Sequence, residues 1–407
     1  MNLKFIEGGV CAAKGFKAAA MHVGIKTRNT GKKDIALIVA DKPCSAASVY
    51  TRNIVKASPL KVTKAHLSDG KAQAVLVNSG NANACAPNGE AHALSCCEAA
   101  AKALGLKASD IIVSSTGVIG QELPVSLIID ALPELASKLS YDGSDDAATA
   151  IMTTDLTMKQ CAVELEVGGK TVKIGGIAKG SGMIHPNMGT MLAFVTTDCA
   201  ISSMMIEKAL QRATNVSFNR VTVDGDTSTN DMLSLMANGL AGNPEITSEC
   251  ENYFKFAEAL NSICIELAKM IASDGEGATH LITCTVSGAA TEHDAEGLAK
   301  SVISSTLVKA AMFGNDANWG RILCALGYSG IEFDPEKVDV KLFSDAGEVA
   351  VCKSGRGLPF DEALAKKVLS ERDVTIDINM NTANAAVSCW GCDISYDYIK
   401  INGDYRT

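Results

Sequence analysis

The sequence predicts a mixed α and β fold, because stretches with helical spacing of apolar residues alternate along the chain with short strand-like stretches. Residues 90–104, EAHALSCCEAAAKAL, carry Ala and Leu at helical spacing, and Gly105 follows as a helix stop. Residues 111–115, IIVSS, then predict a buried strand. No internal repeat and no Pro- or Ser-rich linker is visible, so the sequence marks no domain boundary.

The same alternation continues towards the C-terminus. Ser248 and Glu251 have the spacing of a capping box, which predicts the start of a long helix reaching about residue 272. Residues 280–288, HLITCTVSG, predict a strand, and one helix is expected over about 294–312. Residues 374–380 and 394–402 alternate apolar and polar side chains, which predicts two half-buried strands.

Composition excludes several classes of protein. A length of 407 residues is enough for about two or three domains, and 47% hydrophobic with 20% charged residues is ordinary for a globular protein. The formal net charge is −9 and no run of Lys or Arg is interleaved with aromatic residues, so nucleic-acid binding is not expected. No apolar run approaches the length of a membrane span.

The cysteines indicate the compartment. The 14 cysteines are scattered along a long chain, unlike those of a short secreted disulfide scaffold, and the N-terminus lacks the apolar segment of a signal peptide. Cys389 and Cys392 form a lone pair without the further ligands that structural zinc needs, so two buried thiols are preferred. We therefore expect a reduced cytoplasmic protein without a metal site.

A glycine-rich segment breaks the regular pattern between residues 175 and 198, GGIAKGSGMIHPNMGTMLAFVTTD. In the pair Gly189-Thr190 the glycine carbonyl is sterically open and the threonine hydroxyl could attack it, which would cleave the chain. The new N-terminal threonine would carry an α-amine with a pKa of about 7.7–8.0, able to deprotonate its own hydroxyl. On spacing alone, an ordinary Gly-Thr pair entering a strand is the simpler interpretation.

Two other turns carry residues that could take part in catalysis or binding. SSTGVIG at 114–120 places Thr116 and Gly117 just after a strand, where a hydroxyl and a backbone N–H could form an oxyanion hole, although such turns are common. DGEGATH at 274–280 presents Glu276 between glycines, and taken singly a surface loop is the better interpretation.

The acidic turn DGDTSTND at 224–231 supports an alternative function. It follows an apolar strand, as the nucleophile loop of Mg²⁺-dependent phosphohydrolases does. Asp224 would then accept the phosphoryl group and Asp226 would act as acid and base. The motif lies in the middle of the chain rather than near its start, so an acidic turn facing solvent or substrate is preferred.

Taken together, the motifs resemble the ornithine acetyltransferase family, the glutamate N-acetyltransferases of arginine biosynthesis. The resemblance covers essentially the whole chain. It rests on SSTGVIG at 114–120, IMTTD at 151–155, KGSGMIHPNMGTMLAFVTTD at 179–198, VDGDTSTND at 223–231, SDGEGATH at 273–280, FGNDANWGR at 313–321 and CDISYDYIKINGDYRT at 392–407.

The resemblance implies an α+β fold of the ornithine acetyltransferase/DmpA-like type, with helices flanking β-sheets and an N-terminal threonine nucleophile. It implies self-cleavage between Gly189 and Thr190 into an α chain of residues 1–189 and a β chain of residues 190–407, which assemble as a heterotetramer. The family more often has Ala at position 189 and a small residue where His185 stands. Gly189 should relax the steric pressure for the acyl shift, so slower cleavage is expected here.

The resemblance also assigns roles to single residues. Thr190 matches the nucleophile, and Thr116 with Gly117 matches the oxyanion-stabilising pair. The matching substrate-binding positions are Thr153, Lys179, Thr190, Glu276, Asn402 and Thr407. Whether Thr153 or its neighbour Thr154 contacts the substrate stays open.

The implied reaction is ping-pong transfer of an acetyl group from N2-acetylornithine to L-glutamate, through an acetyl ester on Thr190. No metal or tightly bound cofactor is implied. The resemblance leaves open whether acetyl-CoA also serves as an acetyl donor.

Overall fold

Two β-sheets with flanking helices make up the computed structural model, which describes residues 3–26, 31–185 and 191–404. The strands are β1 (Lys4–Ile6), β2 (Phe16–Met21), β3 (Ile35–Tyr50), β4 (Lys71–Asn78), β5 (Ile111–Ser115), β6 (Lys159–Val167), β7 (Lys170–Lys179), β8 (Leu192–Thr197), β9 (Val221–Thr222), β10 (Met232–Ala237), β11 (Leu281–Ala289), β12 (Asp339–Ser344), β13 (Gly347–Lys353), β14 (Arg356–Gly357), β15 (Asp373–Asn379) and β16 (Ala385–Cys392). The helices are α1 (Ser58–His66), α2 (Gly89–Leu104), α3 (Val125–Ser137), α4 (Ser144–Ala150), α5 (Ser203–Val216), α6 (Glu251–Ser273), α7 (Glu292–Ser304), α8 (Thr306–Phe313), α9 (Trp319–Gly327), α10 (Glu362–Leu369) and α11 (Tyr396–Gly403). None of the helices in these described ranges is long and apolar enough to cross a membrane.

The first sheet combines strands from both sides of the Gly189-Thr190 pair. Its strands run in the order β1-β6-β7-β8-β10-β3-β4-β5, and β2 pairs with β3. Strand β8 is antiparallel to β7, with Lys179 opposite Leu192, and parallel to β10, with Met232 opposite Leu192. Strands β8 and β10 therefore lie in the middle of a sheet whose remaining strands all precede residue 189.

The second sheet is formed by the C-terminal half of the chain, in the order β14-β13-β12-β15-β11-β16-β9. Its core includes Cys284 and Cys389, which lie opposite each other on β11 and β16 and are fully buried. Cys392 is 1% exposed, and all 14 cysteines are free thiols. The expectation of buried thiols at 389 and 392 is confirmed.

Helix α6 connects the two sheets. Its apolar face recurs at helical spacing, with Phe256, Leu260 and Leu267 fully buried in a core that reaches Trp390 of the second sheet. Each such side chain contributes roughly 1.5–3 kcal/mol on burial, so the helix is held firmly along its length. Its C-terminal end leads directly into the turn that carries Glu276.

Several predicted elements are confirmed, together with the mixed α and β class. Helix α2 ends at Leu104, and Gly105 adopts a φ of 70° beyond it. Strand β5 covers the predicted residues 111–115, and α6, β11 and β15 lie where the periodicity placed them. These are segments whose apolar pattern and end signals agree with each other.

Other predictions are wrong at the level of local geometry. Residues 396–403 form helix α11 instead of a strand, because the Ser395 side chain accepts a hydrogen bond from the Asp397 amide and starts a helix. Its apolar residues are not half-buried on one face, since Tyr396 is 82% and Ile399 64% exposed.

The helix expected over 294–312 is two helices. Residue Ser305 is extended between α7 and α8, and its side chain accepts from the Val308 amide to cap α8. The expected capping box of α6 is absent too, because Cys250 rather than Ser248 occupies the cap and no side chain bonds there.

Candidate active site

A cavity of about 330 Å³ collects most of the site residues that the sequence singled out. Its lining includes Thr116, Gly117, Thr153, Lys179, Glu276 and Asn402, together with Thr154. Three other predicted residues, Gly189, Thr190 and Thr407, lie outside the described residues. Met191, the neighbour of Thr190 in the chain, lines the same cavity.

The turn of Thr116 and Gly117, called the oxyanion turn below, lies directly after β5. The Thr116 amide donates to the Asn78 carbonyl at 2.9 Å. Gly117 has a φ of 126°, and a Cβ there would lie 2.6 Å from the Gly80 carbonyl carbon. Only glycine fits this backbone without displacement, so the turn is fixed by its contact with the loop after β4.

Two asparagines that were not predicted from the sequence hold this turn. The Asn78 side chain donates to Ser115 Oγ at 2.7 Å. The Asn230 side chain donates to the carbonyls of Ser115 and Ala82, each at 2.7 Å. Asn78 ends β4 in the Asn-rich segment NSGNAN, and Asn230 lies just before β10 in the Asp-rich turn DGDTSTND. A turn rich in Asn or Asp next to a strand end is the sequence pattern that could have indicated these residues.

Lys179 ends β7 and reaches the oxyanion turn. Its ammonium donates to Thr116 Oγ1 at 3.4 Å and the residue is 8% exposed. Burial lowers the pKa of the Lys179 ammonium, while the charges of Asp155, Glu276 and Asp231 act to raise it. In its charged form, a buried lysine beside this turn can pair with a carboxylate or stabilise developing negative charge.

A buried ion network lies behind Lys179 and was also missed. The Lys159 ammonium is 2.7 Å from Asp155 Oδ1 and 2.5 Å from Asp274 Oδ2. Asp155 accepts the amides of Thr153 at 2.9 Å and Gly180 at 2.7 Å. The network therefore links residues 153–159, residue 180 and residue 274, which lie in three segments that contribute to the cavity. No local sequence motif indicates the contact between residues 159 and 274.

The charges of this network depend on each other. Burial acts to raise the pKa of Asp155, but the charges of Lys179 and Lys159 and the Lys159 and Thr153 hydrogen bonds outweigh it, so the pKa lies below its usual range. Asp155 is thus a carboxylate, and its charge acts on the buried Lys179.

Glu276 is buried rather than on a surface loop, which corrects the simpler interpretation of DGEGATH. It is 7% exposed, and Asn402 of α11 donates to its Oε2 at 2.8 Å. Gly277 has a φ of 68°, and a Cβ there would lie 2.6 Å from the Tyr398 amide nitrogen. Gly277 lets helix α11 pack over the turn, and the helix orients the carboxylate.

A second buried acid, Asp231, lines the cavity at the start of β10. It is 2% exposed, and none of the described residues donates a hydrogen bond to its Oδ2. Burial raises the pKa of Asp231 well above its usual range, although the hydroxyls of Ser228 and Thr51 oppose this.

The acidic turn does not present a phosphohydrolase nucleophile. Asp224 accepts hydrogen bonds from the amides of Met183 at 2.5 Å and Ile184 at 2.8 Å, so its two oxygens are engaged by the backbone. Within the described ranges no group of three or more His, Cys, Asp and Glu side chains is arranged to hold a metal ion. Neither the structure nor the comparisons below support this alternative.

The cavity offers what transfer of an acyl group needs: a hydroxyl-glycine turn for an oxyanion, a buried cation and a buried carboxylate for a charged substrate. The fold and site thus define an α/β protein of the acyl-transfer class. The chain belongs to the ArgJ family, whose model matches residues 17–407.

Relatives extend along the full length of the chain. An arginine biosynthesis bifunctional protein ArgJ of Symbiobacterium thermophilum is 51% identical over 406 residues, which make up 100% of both chains. One of Caldanaerobacter subterraneus is 46% identical over 406 residues, again 100% of both. A crystal structure of ArgJ from Bacillus halodurans is 47% identical, covers 53% of this chain and 100% of its own, and has a TM-score of 0.51. The family resemblance and the fold class are confirmed.

Proposed function

We propose that this enzyme transfers an acetyl group from N2-acetylornithine to L-glutamate, as a step of arginine biosynthesis, through an acetyl ester on Thr190. The observation that carries the proposal is the cavity that joins the oxyanion turn, Lys179 and Glu276 beside Met191. The relatives described above are named arginine biosynthesis bifunctional proteins, which supports the same pathway.

Self-cleavage would prepare the nucleophile. Thr190 Oγ attacks the Gly189 carbonyl, the amide becomes an ester, and water hydrolyses that ester to give chains 1–189 and 190–407. The second chain would hold 218 of the 407 residues, close to the 53% share matched by the complete Bacillus halodurans chain. Because β8 and β10 lie between β7 and β3, the two chains would stay in one sheet after the cut. We propose that they assemble as a heterotetramer.

The transfer then proceeds in two balanced steps. The Thr190 α-amine takes the Oγ proton while Oγ bonds to the acetyl carbon, and Thr116 Oγ1 and the Gly117 N–H stabilise the oxyanion. Collapse breaks the bond to the ornithine nitrogen, which receives the proton. The neutral amine of glutamate next attacks the ester carbon, Oγ leaves with a proton returned through the α-amine, and N-acetylglutamate departs.

The charged residues suit these substrates. Lys179 can pair with an α-carboxylate and Glu276 with the side-chain ammonium of acetylornithine. Thr153, Asn402 and the C-terminal Thr407 are proposed to complete the binding surface. Since the relatives are called bifunctional, we propose acetyl-CoA as a second acetyl donor. The free thiols favour a reducing, cytoplasmic setting.

Mass measurement tests this proposal directly. The denatured protein should separate into two chains, one beginning Thr-Met-Leu-Ala-Phe, and that chain should gain one acetyl group when N2-acetylornithine is added without glutamate. Adding L-glutamate should discharge the acetyl group and produce N-acetylglutamate. Transfer by an intact chain, or transfer without an acetylated intermediate, would overturn the mechanism.

Glu276→Gln should raise the KM for one of the two substrates and not for the other. We expect the KM for N2-acetylornithine to rise about 10–100-fold, because one charge-assisted hydrogen bond of about 1.5–3 kcal/mol is lost. The KM for L-glutamate should not rise, since glutamate has no side-chain ammonium. Steady-state kinetics with each substrate varied gives both values, and Glu332→Gln, an exposed glutamate outside the cavity, is the matched control. An equal rise for both substrates would remove the assigned role.

A further inference from the structure

Asp224 binds backbone amides of the chain just upstream of the proposed cut. Its Oδ2 accepts the Met183 amide at 2.5 Å, and its Oδ1 accepts the amides of Ile184 at 2.8 Å and Asp226 at 3.2 Å. Met183 itself has a φ of 56°, a backbone conformation that non-glycine residues rarely adopt. The carboxylate therefore fixes a bend in the chain by binding two consecutive amides.

The neighbours of Asp224 add hydrogen bonds, so that three consecutive residues, 183–185, are held. The Val223 amide donates to the Ile184 carbonyl at 2.6 Å. Thr227 Oγ1 donates to the His185 carbonyl at 2.8 Å, and Thr227 forms an isolated β-bridge with Ile184. Residues 223–227, called the acidic clamp below, thus hold residues 183–185 through both amides and carbonyls.

The same stretch of chain also holds the downstream side. Five residues after Thr227, the Met232 amide donates to the Met191 carbonyl at 3.1 Å, and β10 then pairs with β8. Residues 223–232 therefore bind the chain at 183–185 and again at 191. The cut assigned to Gly189-Thr190 falls between these two anchors.

A further anchor limits movement before the clamp. The Glu276 amide donates to the Ser181 carbonyl at 2.9 Å, and Ser181 Oγ donates to the Asp274 carbonyl at 2.7 Å. A Cβ on Gly182 would lie 2.3 Å from the Glu276 carboxylate. With residues 181–182 already fixed against the Glu276 turn, the acidic clamp fixes the next three residues, 183–185.

We propose that Asp224 is a positioning residue for self-cleavage, holding the upstream chain so that the Gly189 carbonyl meets the Thr190 hydroxyl. The inference rests on the proposed function, because it assumes that cut. An intramolecular attack needs its two groups held at close range, and a displacement of about 1 Å costs about 10²-fold in rate. Asp224 is assigned no part in the bond changes of cleavage or of acetyl transfer.

Asp224→Asn is the direct test, because the amide keeps the shape and turns one of two acceptor oxygens into a donor facing a backbone N–H. We expect cleavage of the full chain to slow about 10²-fold, measured as the intact fraction against time after cell-free synthesis. Asp226→Asn is the matched control, because its side chain is exposed in the same turn, and it should cleave at the wild-type rate.

A second readout separates positioning from general damage. Once processed, Asp224→Asn should transfer acetyl at the wild-type rate per N-terminal Thr190. If that variant aggregates, Thr227→Val, which loses the bond to the His185 carbonyl, should slow cleavage about fivefold. Wild-type cleavage rates in the soluble variants, or a transfer rate that falls in parallel with cleavage, would overturn the positioning role.

Failure of this inference and failure of the proposed function are distinguishable. Wild-type cleavage in Asp224→Asn together with an uncleaved Thr190→Ala chain would refute only the role of Asp224. Cleavage of the Thr190→Ala chain at the same position would refute the proposed nucleophile itself.

Discussion

Thr190→Ala should leave the protein as one species near 42.4 kDa and abolish acetyl transfer. The hydroxyl is the proposed nucleophile in self-cleavage and again in transfer, so its loss removes both reactions at once. Removal of a covalent nucleophile typically lowers kcat by a factor on the order of 10⁴ or more. No other hydroxyl could inherit the role, because the second reaction also needs the α-amine that cleavage creates.

This prediction can be tested on a single preparation by intact mass, N-terminal sequencing and the acetyl-transfer rate. Thr190→Ser is the matched control, since it retains both a hydroxyl and, after cleavage, an α-amine. We expect it to cleave and to transfer acetyl groups at a reduced rate. A Thr190→Ala chain that is cut between residues 189 and 190 and remains active would contradict the mechanism.

Comparing the cleavage rate of Gly189→Ala with that of the natural chain tests whether Gly189 slows self-cleavage. The expectation that glycine relaxes the steric pressure on the cut stays a prediction, because residue 189 lies outside the described residues. The anchors on either side of it, by contrast, are described and are formed by residues 223–232.

The fold was predictable where local signals agreed. Helix α2 combines helical spacing with a glycine stop, and β5 is a short apolar run followed by a turn, so both follow from neighbouring residues. Residues 394–402 show the limit of this reasoning. Their alternation suited a strand, but one side-chain cap at Ser395 and packing over the Glu276 turn favour a helix.

The candidate site was predictable where a motif is continuous in sequence. The oxyanion turn, Lys179 and Glu276 each lie in a short glycine-containing motif, and the family resemblance grouped them. The ion network of Asp155, Lys159 and Asp274 could not be found this way, because Asp274 is more than a hundred residues from the other two and is brought to them only by the packing of α6 against the first sheet.

The acidic turn illustrates how one motif fits two chemistries. Aspartates after an apolar strand suit a phosphohydrolase, yet the same carboxylate geometry serves equally well to bind backbone amides. Only the positions of Met183 and Ile184 relative to Asp224 decide between the two, and those positions depend on tertiary structure.

Gly117→Ala should lower kcat for acetyl transfer about 10²–10³-fold, which is the cost of losing an oxyanion donor. A methyl group at this position would lie 2.6 Å from the Gly80 carbonyl carbon and 2.8 Å from the Asn81 amide nitrogen. Both obstacles are backbone atoms that cannot rotate away. The Gly117 N–H and the adjacent Thr116 hydroxyl must therefore move from the position of the oxyanion.

Gly120→Ala provides the control for backbone strain in the same loop. Gly120 also has a positive φ, 82°, but a Cβ there meets nothing within 4 Å. Both variants carry a conformational cost of about 1–2 kcal/mol, whereas only Gly117→Ala displaces the oxyanion turn. Steady-state rates normalised to the acetylated fraction should therefore separate the two variants. The KM for N2-acetylornithine should change little, because Glu276 is held by Asn402 rather than by the oxyanion turn. Equal kcat values in the two variants would show that the turn does not stabilise the oxyanion.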